Sequence, residues 1–330
     1  MTVLTPLPRP TGAATRLRRR HGWLAGVVVL LAVLFVVRIV QIPTFGGFEL
    51  RTIIAGSMAL AFLAMAQGVV VISGGINMSV GALMVFANCV CAKFMLGQDL
   101  LTCVLIGIAV VALCAVISAV MGYVITVSGV PDIIVTLAIS FVIAGSTLVV
   151  LPAPGGGIAA DLQPLIVGGF SEPLPAVIWL TLALVLIWLP FKRSRWGIAT
   201  YAIGSQRGAA YLSGVSVAAT RMRTYALSGV FVGLAGIVTT AFTGSGEPRA
   251  SIGLAALLSS VAAVVLGGVA LIGGTGGLLG PVLAAMVLSL IPAIMLGFGW
   301  DPNLSEIARG VILILVVMLG GYVQLRRRSA

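Results

Sequence analysis

Apolar residues run along this chain in blocks of about twenty, separated by short clusters of Gly, Pro and charge. A hydrocarbon core about 30 Å thick needs roughly 20 apolar residues per helix, with about 17 to 25 usual. On that measure the pattern predicts ten membrane-spanning helices, at 22–41, 52–72, 79–96, 100–127, 133–151, 174–190, 224–243, 254–272, 278–297 and 305–323. The first follows a basic cluster, Arg16 to Arg20, as the apolar stretch of a secretory leader would. Its exit reads Arg38-Ile39-Val40-Gln41 with no small-x-small cleavage site, so it reads as an uncleaved helix.

Composition agrees. Hydrophobic residues make up 60% of the 330 and charged residues only 8%, with 42 Gly besides. A soluble chain carries about 25% charge, so this one has too little polar surface to face water on every side. The apolar content equally excludes disorder. The fold class is therefore all-α and polytopic. A single membrane domain spans 22–323, between basic tails at 1–21 and 324–330.

The net charge of +11 invites a nucleic-acid reading, which the placement of the charges removes. With ten spans both ends lie on one side, and putting the N-terminus in the cytoplasm makes a test. The inner side then holds 14 of the 19 basic residues, in the two tails and in 191–223, against one acid, Asp132. The outer side holds Arg38, Arg51, Lys93, Arg249 and Arg309 against the seven other acids. This is the positive-inside bias expected of an N-in/C-in membrane protein.

Candidate chemistry is sparse. Cys89, Cys91, Cys103 and Cys114 all lie in apolar runs, and His21 is the only histidine, so the thiols read as small packing residues rather than metal ligands. Every acid sits at or near a predicted helix boundary and no acid–base pair falls mid-span. A transporter driven by an ion gradient usually carries ionisable groups inside the membrane. No G-x-x-x-x-G-K-[ST] phosphate loop occurs, and Lys is found only at positions 93 and 192. The chain reads as no enzyme and as needing no cofactor of its own. If it pumps, another polypeptide supplies the energy.

The long inner connection, 191–223, carries six basic residues and no acid. Its Ala-rich middle suits a short helix, with Gly204 before it and Gly214 placed to end it. Ala209, Ala210 and Ser213 make a small-residue stripe beside Tyr211 and Leu212. Such a helix can dock into a groove of a soluble partner, and a plain solvated loop is the competing reading.

Four stretches in order resemble permeases of ATP-binding-cassette (ABC) importers of the ribose/xylose/galactose class, with relatives for branched-chain amino acids. They are Gly74-Gly75-Ile76-Asn77-Met78-Ser79-Val80-Gly81; Val130-Pro131-Asp132-Ile133-Ile134-Val135-Thr136-Leu137; the segment from Gly197 through Ala202-Ile203-Gly204, Ala209-Ala210 and Ser213-Gly214-Val215; and Ala262 to Gly268 followed by Gly273-Gly274-Thr275-Gly276-Gly277 and Gly280. The match covers about residues 50 to 323. It implies a helical permease working as a dimer, with an identical or homologous second permease subunit. It also implies a cytoplasmic ABC ATPase that binds ATP and Mg, and an extracytoplasmic solute-binding protein. Gly197, Ala202, Gly204, Arg207, Ala209, Ala210, Ser213 and Gly214 would then form the ATPase-coupling segment. Two positions depart from the pattern. Asn77-Met78 stands where the family usually has Asp-Leu, which removes a carboxylate but leaves an oxygen that can cap. Ala138 stands for a common Gly.

Gln67, Asn77, Asn88, Thr136 and Ser140 are the polar side chains placed to face a translocation path. Each could instead serve as an interhelical hydrogen bond. Gly74-Gly75 and Gly273-Gly274 read either as breaks facing a cavity or as short turns with close helix packing. The Pro- and Gly-rich stretch 152–173 could present a docking surface or be a connector. The function these signs predict is translocation of a monosaccharide or related polyol. A branched-chain amino acid and a self-sufficient secondary transporter or channel are the alternatives.

Overall fold

The computed structural model describes residues 13–42 and 44–300, together with Leu304, Ile307, Gly310, Val311, Ile314 and Met318. Most of the predicted span at 305–323, the tail at 324–330 and residues 1–12 lie outside the described residues. The elements are all helical: α1 (Ala13–Gln41), α2 (Gly47–Ile72), α3 (Val80–Met95), α4 (Leu100–Ser128), α5 (Asp132–Val150), α6 (Leu162–Val167) and α7 (Leu174–Leu182). They continue with α8 (Leu189–Arg193), α9 (Arg195–Ser205), α10 (Arg207–Leu212), α11 (Val217–Thr243), α12 (Ala250–Leu266) and α13 (Leu279–Gly297).

Seven of the described helical stretches are long and apolar enough to cross a membrane, α7 and α8 counting as one. Val80–Met95 and Ala250–Leu266 are apolar but shorter. The first nine predicted spans thus all fall on helices, with altered ends. The predicted span 254–272 is the clearest correction. Its apolar run continues to Ile272, yet α12 stops at Leu266, because Gly267 packs with no room for a Cβ against Gly280 and Pro281 and Gly268 turns left-handed at φ +80°. The predicted connection 191–223 is also shorter, since α11 already begins at Val217.

Burial sorts the helices into an inner and an outer set. The apolar window of α2 is 72% buried and those of α11 and α13 are 56%, against 22% for α4 and 17% for α5. Phe141, Val149 and Leu105 stand exposed on the outer set, the side that a membrane protein turns to lipid. The most extensive packing runs antiparallel between α4 and α11. Its register is set by glycines on both helices: Gly122 faces Arg221 O and Tyr225 Cβ, each 3.0 Å from where its own Cβ would be, Gly229 faces Ala115 and Gly233 faces Val111. Small residues let helix backbones approach where no hydrophobic force drives them together.

Between α7 and α8 the backbone widens to a π-helical stretch, Ala183–Trp188, in which Leu189 N–H donates to Leu184 O. Pro190 follows directly, has no N–H to give and crowds the carbonyl four residues back, which is what such a bulge accommodates.

At the end away from α9 and α10, the 152–173 stretch is an ordered cap. Gly155 and Gly246 exchange backbone hydrogen bonds, Gly157 N–H donates to Ala92 O, and Arg51 donates to the Val167 and Gly168 carbonyls. The four cysteines are buried and free.

Candidate functional site: the junction under the α8–α11 connection

The connection between α8 and α11 folds as two short helices. Ser194 caps α9, its hydroxyl accepting from the Trp196 and Gly197 amides at 3.2 and 3.3 Å. Gly197 allows the α8–α9 turn to close, since a Cβ there would collide with Phe191 O and lie 2.7 Å from Lys192 Cα. That α9 is a helix was not predicted. The helix expected in the Ala-rich middle is α10, and Gly214 follows it at φ +81°, the left-handed conformation that lets a helix stop.

The two helices differ in surroundings. On α10 and its ends Arg207, Ala209, Ser213 and Gly214 are exposed and Ala210 is buried, while Tyr211 is 70% and Leu212 86% exposed. In contrast α9 is held on three sides. The Thr200 and Thr224 hydroxyls lie 3.1 Å apart and join it to α11, the Tyr201 hydroxyl donates to Gly276 O at 2.7 Å, and Arg223 lies over the Trp196 ring at 5.2 Å. Ala202 is half-buried.

Gly204 is the centre of this contact. A Cβ on it would collide with Ile72 O, at the end of α2, and come within 2.7 Å of Gly274 N, in the connection between α12 and α13. Those two backbones also meet each other, Gly274 N–H donating to Ile72 O at 2.9 Å. A Cβ on Gly273 would lie 2.8 Å from Gly74 Cα and 3.0 Å from Gly204 O. The two Gly-Gly pairs are therefore turns brought together around one residue of α9. Gly74, Gly273 and Gly274 have φ of +80°, +93° and +71°, which glycine adopts without strain. A Cβ on Gly273 would press on backbone and one on Gly274 would collide with the Ser205 hydroxyl, whereas at Gly74 the space is ordinary and the φ alone asks for glycine.

A second cluster lies beside this junction. Asp132, at the start of α5, pairs with Arg221 and accepts from the Tyr225 hydroxyl at 3.0 Å, both on α11. Gly75 has no room for a Cβ because the Asp132 carboxylate sits against it. The Thr136 hydroxyl donates to Asp132 O at 2.8 Å and accepts from Met78 N–H at 3.0 Å, so α5, α11 and the 73–79 turn are tied at one point. Arg221 is thus a buried partner rather than one of six solvated charges of the connection. The signal in the sequence was Asp132 itself, the single acid among the basic residues of its side.

The five polar candidates do not come together as one lining. Asn88 joins α3 to the end of α11, donating to Thr240 Oγ1 and Ser245 O, and accepts from Glu247 N–H. Thr136 is taken up as just described. Ser140 is half-exposed and donates to Leu137 O in its own helix. Asn77 is buried, and its side-chain oxygen accepts from both Ser79 N–H and the Ser79 hydroxyl, which braces the turn before α3 rather than capping the helix, whose N-cap is Ser79. Gln67 is buried with neither amide atom hydrogen-bonded, as is Asn77 Nδ2.

Comparison with known proteins places this arrangement. The ribose import permease protein RbsC of Escherichia coli K12 is 28% identical over 306 residues, covering 90% of this chain and 94% of that protein. RbsC of Bacillus subtilis is 30% identical over 266 residues, 79% of each. The autoinducer 2 import system permease protein LsrD of Yersinia pseudotuberculosis is 29% identical over 321 residues, 92% of each. No solved structure matches the chain. The model of the family described as the branched-chain amino acid transport system / permease component matches residues 49–317, and the chain belongs to that family.

Proposed function

We propose that this chain is the transmembrane permease subunit of an ABC importer for a monosaccharide or a related polyol. The observation that carries the reading is the division of labour in the α8–α11 connection. Exposed α10 offers Tyr211 and Leu212 to a partner, while Gly204 of α9 is seated between turns from two core hairpins. A push on α10 would thus reach the membrane helices through backbone contacts that have no slack. The basic residues of this end support its lying in the cytoplasm, where an ABC ATPase binding ATP and Mg would dock. A second permease subunit and an extracytoplasmic binding protein complete the assembly.

The sugar preference rests on the relatives, whose names include ribose import permeases. A branched-chain amino acid remains the other substrate class, on the family's own description.

The test is uptake by cells carrying Ala209→Glu, a bulky charge on exposed α10. Transport and co-purification of the ATPase should be lost while membrane insertion is kept. Normal uptake would overturn the reading, as would solute transport by the lone purified chain under an ion gradient without ATP. Competition by monosaccharides, or by leucine, then separates the two substrate classes.

A further inference from the structure

The two turns that hold Gly204 are written in one spacing. Gly68, Gly74-Gly75 and Gly81 follow the pattern Gly-x5-Gly-Gly-x5-Gly, and so do Gly267, Gly273-Gly274 and Gly280. The helices that follow start at equivalent positions, Val80 for α3 and Leu279 for α13, each one residue before the last glycine. That last glycine meets a glycine in both units with no room for a Cβ, Gly81 against Gly253 in the first helix of the other unit and Gly280 against Gly267, just past the end of the first helix of its own. The units also interlock. The first helix of each packs against the second helix of the other, α2 against α13 and α12 against α3. They differ in where the first helix stops: α2 stays helical through Gly68 to Ile72, whereas α12 ends before Gly267.

Resting on the importer reading above, we infer that these are two copies of one coupling element, both engaged by Gly204. Displacement of α9 then moves the α2–α3 and α12–α13 hairpins as a pair. Ile72 O and Gly274 N both face Gly204 where a Cβ would stand, and the hydrogen bond between those two atoms ties together the two backbones that it touches. A residue that presses on two backbones already bonded to each other cannot move one alone. Gly74, Gly273 and Gly274 are on this account positioning residues for the transport cycle, acting through α9.

Two measurements on the complete importer, reconstituted with its ATPase and binding protein, test this. The first compares Gly204→Ala, Gly74→Ala and Gly273→Ala with Gly145→Ala, a site where a Cβ meets nothing within 4 Å. Gly74→Ala and Gly273→Ala, outside the coupling segment, should keep bound ATPase and its basal hydrolysis. All three junction variants should lose uptake and the stimulation of hydrolysis by the loaded binding protein roughly tenfold, a usual size for a coupling between sites, whichever turn carries the change. Gly145→Ala should behave as wild type. The second uses the wild-type complex, so that a variant failing to fold leaves the question decided. Hydrogen exchange is compared between the nucleotide-free complex and one trapped with a non-hydrolysable ATP analogue. Exchange should change together in 72–76, 200–206 and 272–276. Change at only one of the two Gly-Gly turns, or normal coupling in any junction variant, overturns the inference while leaving the importer reading intact. Absence of a bound ATPase from the wild-type preparation overturns both.

Discussion

Replacing Asp132 with Leu removes the acceptor for two donors at once, the Arg221 guanidinium and the Tyr225 hydroxyl. The side chains of the ion pair are 8% exposed at Arg221 and 14% at Asp132, so the cation left behind has little water to turn to. Breaking a buried pair from one side costs about 3–5 kcal/mol, and the partial access at Asp132 puts this case at the lower end, about 3 kcal/mol. Asp132→Asn keeps the shape and one acceptor oxygen and should cost about half as much. In Asp132→Leu/Arg221→Met no charge is left unpaired, and the remaining loss is the Tyr225 hydroxyl bond, about 1 kcal/mol. Thermal unfolding in mild detergent, followed by helical circular dichroism, reads these differences at roughly 2 °C per kcal/mol for a chain of this size. The expected order is a drop of about 6 °C for Asp132→Leu, about 3 °C for Asp132→Asn and about 2 °C for the double variant. If the double variant is no more stable than Asp132→Leu, the cost does not come from an uncompensated buried charge and the reasoning is refuted.

Three further outcomes follow from the packing. Gly81→Ala should cost about 1–3 kcal/mol because its Cβ would collide with Gly253 O, whereas Gly253→Ala, whose nearest neighbour would lie 3.2 Å away, should cost under about 1 kcal/mol; the same unfolding assay distinguishes them, and equal effects would contradict the asymmetry. Asn88→Ala should free the 244–249 segment, measured as faster proteolysis there with a loss of about 1–2 kcal/mol, because Thr240, Ser245 and Glu247 lose a common partner. Asp99 caps α4, and hydrogen bonds from the Thr102 hydroxyl and then the Thr102 amide hold its carboxyl below the ordinary value of 3.8. A lowered folded pKa means the cap stabilises above that ordinary value and is lost as pH falls through the lowered one, so the melting difference between wild type and Asp99→Ala should shrink below about pH 4 and stay constant above it.

Much of this architecture was legible because bilayer thickness imposes a length that apolar runs report directly. Nine predicted spans fall on helices for that reason. The ends were less legible where glycine decides them. Nothing in Val269-Ala270-Leu271-Ile272 says that the helix has already stopped, since the cause is the approach of Gly280, which sequence order does not show. The α10 helix and its Gly214 stop were readable from local preference alone. The seat of Gly204 was not, because it joins three segments far apart in the chain. The same holds for Arg221, which charge counting assigns to solvent and the fold assigns to Asp132. Among the polar candidates, the Asn77 oxygen bonds only two residues along, to Ser79, a contact within local reach, whereas the partners of Asn88 lie more than 150 residues away.

The burial of α2 has a consequence for how the protein is made. It is the most enclosed of the long helices, 72% buried over its apolar window, yet the helices that enclose it come late in the chain. Gly56 packs against Phe242 of α11, and Gly68 against Leu278 and Pro281 at the start of α13. A chain synthesised from its N-terminus therefore leaves α2 facing lipid while some 150 further residues are added, at about 5–20 residues per second. An enclosed helix in a soluble protein can place polar groups wherever its final neighbours will meet them. Here each side of α2 must be acceptable to lipid first and to protein afterwards. Its mean hydropathy of 2.0 is consistent with that earlier requirement. Gln67 stands out against it as the one amide that the helix carries through both environments.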